Sequence, residues 1–174
     1  MSKMSPTMTT HCASKIHDVM MWHQEFSWYL KSYELVYKMM SEALGIRPEF
    51  YVIGGSAAMI GYGISINRIP HDIDVVVPKA IFKDVVDIIS GSQYFTPARG
   101  NSSMCWSFAV EVKDADGTKC VVDILAYDEP LKFNHCKVGA VCLQDLQQII
   151  DIKCLWNRPK DIEDIDRIMN YMTK

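Results

Sequence analysis

Tyr51-Val-Ile-Gly-Gly-Ser56-Ala-Ala-Met-Ile-Gly-Tyr-Gly63, followed by Arg68-Ile-Pro-His-Asp72-Ile-Asp74-Val-Val-Val77, joins a turn suited to anions to a strand bearing two carboxylates. Residues Tyr51 to Ile53 are apolar and β-prone, Gly54-Gly55-Ser56 breaks the strand, and Ala57 to Ile60 favours helix, so the glycines fall where a helix begins. Helix N-termini offer unpaired N–H groups that suit phosphate. Asp72 and Asp74 are two apart in a strand, so they leave one face while Ile73 and Val75 leave the other. Two neighbouring carboxylates repel unless a divalent cation sits between them, which points to metal-dependent handling of a nucleoside triphosphate.

Such chemistry needs charge neutralised on phosphate oxygens and an acceptor held in line, and carboxylate-bound Mg²⁺ serves both needs. Mg²⁺ keeps several waters and takes only one or two protein carboxylates besides substrate phosphates. A third acid would complete a two-metal site or take the acceptor's proton. Asp123, inside the apolar run Val121-Val-Asp-Ile-Leu125, is the best candidate, because a lone acid in a buried strand is costly unless something satisfies it. Asp128 and Glu129 beside Pro130 read as loop residues. Gly-Gly-Ser alone is no more than a tight turn, and Asp72 with Asp74 alone could be polar residues at a strand end. The order of all three elements carries the reading.

On these residues the chain resembles the nucleotidyltransferase superfamily, built on a Gly-Ser motif, an Asp-x-Asp strand and a later single Asp. Gly-Gly-Ser-Ala-Ala-x(4)-Gly with His71-Asp-Ile-Asp74 is similar to the small abortive-infection (AbiEii-like) and toxin–antitoxin nucleotidyltransferases. Leu146 to Lys153 and Arg158-Pro-Lys-Asp161-Ile-Glu-Asp164 resemble the lysine-bearing helix and Arg-x-Lys-Asp-x-x-Asp turn of those proteins. The resemblance runs from about Tyr51 to the C-terminus. It implies a DNA polymerase β-like α/β fold and Mg²⁺ or Mn²⁺ on Asp72, Asp74 and Asp123. It also implies triphosphate at Gly54, Gly55 and Ser56, and Lys153 near the nucleotide. The implied reaction moves a nucleoside monophosphate from an NTP to an acceptor hydroxyl on an RNA end such as tRNA, a small molecule or a protein, releasing pyrophosphate. Two departures stand out. Arg68 is followed by Ile69 and Pro70 where relatives carry a hydroxyl residue, and Ile64 to Asn67 reads as an insertion. Arg68 therefore receives no role. The missing hydroxyl favours the alternative of an inactive nucleotide-binding or protein-interaction module that keeps the fold.

At 174 residues, one core is the default. A formal charge of −3 removes the bulk attraction on which general nucleic-acid binders rely. No stretch reaches the roughly 20 apolar residues a bilayer span needs, and the N-terminus lacks an apolar signal region, so a cytoplasmic location is expected. The six cysteines form no C-x-x-C pair, which argues for reduced thiols rather than a zinc ribbon. His17 and His23 fall on different helical faces and make no metal site.

Residues 1–13 read as a polar, disordered tail. Residues 14–44 form a long helix whose stripe Trp22, Phe26, Tyr29, Tyr33, Val36, Met40 packs on the rest of one domain or docks a partner, a second copy included. Residues 50–143 form the α/β core with a mixed sheet. Within it Lys79 to Ile89 is helical, 91–103 is a loop around a short piece at Tyr94-Phe95, and Met104 to Val112 pairs with Lys119 to Ala126. A two-residue turn at Asp116-Gly117 would set Asp123 opposite Val110. Val138 to Leu143 offers a last strand. Residues 144–174 close the chain with a helical pair whose Ile149, Ile152, Trp156, Ile165, Ile168 and Met172 face the core and whose second helix Asp161 caps.

Overall fold

Alternating burial along the strands divides the sheet into an apolar face and a face that carries the acids. A computed structural model describes residues 6–92, 96–99, 105–113, 116–134 and 141–174. Its helices are α1 (Pro6–Tyr37), α2 (Gly55–Gly61), α3 (Lys79–Gly91), α4 (Leu146–Trp156) and α5 (Pro159–Met172). The strands are β1 (Val52–Ile53), β2 (Asp72–Val76), β3 (Thr96–Arg99), β4 (Trp106–Lys113), β5 (Lys119–Ala126), β6 (Phe133–Asn134) and β7 (Cys142–Gln144). Among the described residues they form one mixed sheet, ordered β3-β4-β5-β2-β1-β7-β6. β2 runs parallel to β5 and β1 parallel to β7, while the other neighbours are antiparallel. The expected α/β class, mixed sheet, long N-terminal helix and closing helical pair are all present.

Ile53, Ile73, Val75, Val110, Val122 and Ile124 point into the main core with Met59 and Ile60 of α2, Val85 and Ile89 of α3, and Tyr29 and Val36 of α1. Burying each such aliphatic side chain contributes roughly 1.5–3 kcal/mol. Residues of the opposite parity, Val52, Val76, Leu125 and Cys142, make a much smaller apolar cluster. Asp72, Asp74 and Asp123 share that second parity, so the fold spends its larger hydrophobic face on cohesion and its smaller face on the acids.

The long helix, expected over 14–44, runs from Pro6 to Tyr37 and continues through a π-helical turn at Lys38–Ala43. Its backbone takes in residues 6–13, which composition assigned to a tail; 1–5 lie outside the described residues. The stripe packs inward. Trp22, Phe26, Tyr29 and Tyr33 form successive ring contacts, Met40 is fully buried, and the Tyr33 hydroxyl accepts from the Val141 N–H at 3.1 Å. Phe26 remains 39% exposed at the stripe's edge. Gly45, at φ +68°, turns the chain away after the helix.

Three local expectations change. The β4–β5 register pairs Ala109, not Val110, with Asp123, because the ladder ends at Lys113 and Lys119 and leaves a five-residue loop in place of a two-residue turn. Part of that loop, 114–115, lies outside the described residues. The region read as a loop at 91–103 contains β3; the piece at 94–95 and residues 100–104 lie outside the description, as do 135–140 of the last expected strand and its approach. In the helical pair, Met172 is 52% exposed because it follows the last packed turn of α5. Asp161 acts from the first turn of α5, its carboxylate accepting the Arg158 N–H at 3.1 Å, and it is Asp145 that caps α4 by accepting from Gln147 and Gln148. Among the described residues, Cys105, Cys120, Cys142 and Cys154 form no disulfide, and no helix is long and apolar enough to cross a membrane.

Candidate active site

The pairing of β2 with β5 sets Asp74 directly beside Asp123, with Asp72 beside Val121. Asp72, Asp74 and Asp123 are each half-buried. Asp74 lies in a crevice of about 30 Å³ shared with Gly55, Tyr127, Gln144, Lys153 and Trp156. Burial, then the charges of Asp72 and Asp123, push the Asp74 carboxyl up to about 7, against the weaker pull of Lys153 and Lys160. A carboxyl raised by burial and by two neighbouring acids gathers negative charge that a hard divalent cation would relieve. Among the described residues no group of three or more His, Cys, Asp or Glu is gathered closely enough to hold a metal by itself. Two carboxylates on one strand face do match Mg²⁺, which draws its remaining ligands from water and substrate phosphates.

The two glycines act through shape. Gly54 donates its N–H to the Asp74 carbonyl at 2.8 Å, and Gly55 donates to Gln144 Oε1 at 3.3 Å, so both amides expected at phosphate are engaged within the protein. Gly55 stands at φ +54°, and a Cβ there would meet Asp74 Oδ2 at 2.0 Å. Gly55→Ala is therefore expected to force the Asp74 carboxylate aside and to add about 1–2 kcal/mol of left-handed backbone strain. Urea unfolding should show the variant less stable by about that amount while circular dichroism stays native-like.

Ser56 keeps its hydroxyl at the head of α2, where it accepts from Arg68 Nη2 at 3.3 Å. Arg68, left without a role by sequence, is thus brought to the Gly-Ser turn. Its guanidinium also forms a two-pronged pair with Asp164, Nη1 to Oδ1 at 2.8 Å and Nη2 to Oδ2 at 2.6 Å. Lys153 borders the crevice, and its ammonium lies 2.7 Å from Asp164 and 3.3 Å from Asp161. Arg158 completes the network by pairing with Asp161 and stacking over the Trp156 ring, 4.2 Å from its centroid. Burial raises Asp164, but the Arg68 hydrogen bonds and the Lys153 charge outweigh it and leave the carboxyl below its ordinary range; Asp161 is lowered likewise by Arg158 and Lys153. His71 lines a separate groove with Trp28 and Cys120.

Sequence reasoning missed Gln144, Tyr127 and the reach of Arg68. Gln144 is 2% exposed and bridges Gly55 to Gln148 through its amide, at the end of a strand where a lone polar residue in an apolar run was the available signal. Ile152 and Trp156, assigned to the core, line the crevice.

No protein-family model matches the chain, and no curated protein matches it. Solved structures do. A candidate nucleotidyltransferase from Thermotoga maritima superposes with a TM-score of 0.51 at 16% identity, over 80% of this chain and 94% of its own. ANT(2″)-Ia, solved in complex with adenylyl-2″-tobramycin, superposes at 0.51 and 16% identity, over 77% of this chain and 84% of its own. Against JHP933 from Helicobacter pylori the TM-score is 0.46 at 18% identity over 79% of this chain, which spans 64% of that protein's length. The likeness to the first two shows the fold, and the chain has a nucleotidyltransferase fold.

Proposed function

We propose, from a nucleotidyltransferase fold with three acids on one sheet face, that this chain transfers a nucleoside monophosphate from an NTP to an acceptor hydroxyl. Its Gly-Gly-Ser, His-Asp-x-Asp and Arg-x-Lys-Asp-x-x-Asp motifs resemble those of the abortive-infection or toxin type. The observation that carries the reading is the in-register pairing of Asp74 with Asp123 beside the Gly55 turn. Asp72 and Asp74 would hold a divalent cation, Mg²⁺ or Mn²⁺, with Asp123 beside Asp74 adding negative charge, and the cation would neutralise charge on the phosphate oxygens. Ser56, which accepts from Arg68, would bind the β and γ phosphates together with it, and Lys153 and Lys160 add positive potential around Asp74. Asp123 would orient the acceptor and take its hydroxyl proton as the acceptor oxygen bonds the α-phosphorus and the bond to pyrophosphate breaks.

The test incubates the chain with each α-³²P-labelled NTP, Mg²⁺ or Mn²⁺, and separate RNA, protein and small-molecule fractions. The double variant Asp72→Asn, Asp74→Asn is the control. The adenylyl-tobramycin held by one structural neighbour puts small-molecule hydroxyls beside RNA ends and protein side chains as acceptors to try. Label that enters one fraction only with the parent protein establishes transfer and names the acceptor class. Absence of both label and metal-dependent nucleotide binding would favour the inactive interaction module, a reading supported by Ile69-Pro70 after Arg68 and by the inward pairing of Arg68 and Lys153.

A further inference from the structure

A carboxylate on α1 controls the segment that delivers Arg68. Glu25 is completely buried, and its Oε1 accepts two backbone N–H groups, from Ile66 at 3.1 Å and from Arg68 at 3.0 Å. Its other oxygen has no hydrogen-bond partner among the described residues. Burying an acid with one oxygen unsatisfied is unfavourable, and Asn67 between the two amides adopts φ +55°. The first cost falls on α1 and the second on residues 64–67, the insertion that lengthens the interval between the Gly-Ser turn and the acidic strand. Ile64 and Ile66 anchor this segment in the core, and Arg167 Nη1 donates to the Ser65 carbonyl at 3.2 Å. The result is a guanidinium that folds back over the Ile66 carbonyl to reach both Asp164 and Ser56.

We infer that Glu25 is a positioning residue for triphosphate binding, which makes α1 part of the nucleotide site. The inference rests on the proposed function. Glu25 touches no substrate; it clamps the backbone on either side of Asn67 so that Arg68 meets Ser56 at the phosphate end. The clamp supplies from another element the order that a hydroxyl residue after Arg68 would provide locally.

The test measures binding of each Mg²⁺–NTP to the full chain by calorimetry, with thermal unfolding recorded for every variant. Glu25→Ala is expected to weaken binding by about 10- to 100-fold, the range carried by a charge-assisted contact, and to match Arg68→Ala. The double variant should bind no more weakly than Arg68→Ala alone, because Glu25 acts through Arg68. Glu25→Gln, which keeps an acceptor oxygen in place, should restore most of what Glu25→Ala loses. Should Glu25→Ala fail to fold, Glu25→Asp replaces it: one methylene shorter, it withdraws from both amides and should weaken binding. Parent-like affinity in a folded Glu25→Ala or Glu25→Asp protein, or additive losses in the double variant, would overturn the inference alone. A parent that binds no NTP would overturn the functional reading, and this inference with it.

Discussion

Asp74→Asn is expected to give a protein that melts at a higher temperature than its parent and transfers no nucleotide. Burial and the charges of Asp72 and Asp123 raise this carboxyl to about 7, against an ordinary value of 3.8. A group whose folded pKa is raised favours the native state below the unfolded value and loses that contribution as pH rises through the folded pKa. The metal-free parent should therefore lose stability between pH 3.8 and about 7, by a few kcal/mol at most, since each unit is about 1.4 kcal/mol. Asparagine removes the ionisation and with it this slope. In the parent, a bound cation must displace the Asp74 proton below pH 7, so apparent metal affinity should climb up to that pH and then level off. Calorimetric melting with and without Mg²⁺ at pH 5 and 8 checks both statements; a variant less stable than its parent at pH 8, or one that still transfers label, would refute the assignment of Asp74.

Asp164→Ala should be the most destabilising single change at the site, at about 3–5 kcal/mol, because it strands a buried lysine and a half-buried arginine. Asp164 is fully buried and receives hydrogen bonds from Lys153 and Arg68 at once. Its pH signature is opposite to that of Asp74. A depressed carboxyl stabilises the fold above its unfolded value and loses that contribution as pH falls through the folded value, so the parent should weaken in acid below about pH 4. Urea unfolding between pH 3 and 7 should show that acid limb flattened in the variant. A midpoint at pH 7 close to the parent's would mean that Asp164 does not balance the two cations.

The motif and its strand were legible because they depend on local chemistry: a Gly-Gly break, period-two burial around Asp72 and Asp74, and an acid alone in an apolar run at Asp123. The strand pairing that joins Asp74 to Asp123 was not, and the register slipped by one because Asp116-Gly117 is part of a longer loop, with Gly117 at φ +79°. Lys153 illustrates the limit differently. A lysine at that helical position was read as approaching the nucleotide, while its pairing with Asp164 and Asp161 is made by a tertiary contact between α4 and α5. Glu25 did leave a signal: it lies three residues after Trp22 and four before Tyr29, so a charge sits within an apolar helical stripe and calls for a buried partner.

The pairing of Arg68 with Asp164 spans 96 positions, and that of Gly55 with Gln144 spans 89. Contacts so distant along the chain must first overcome loop-closure entropy, so they form late on the way to the native state. A chain with only the Gly-Ser turn shaped would still lack the counter-charges from α4 and α5. On the proposed function, competence to hold a triphosphate would then arrive at the end of folding rather than progressively, and a half-folded copy would be chemically silent.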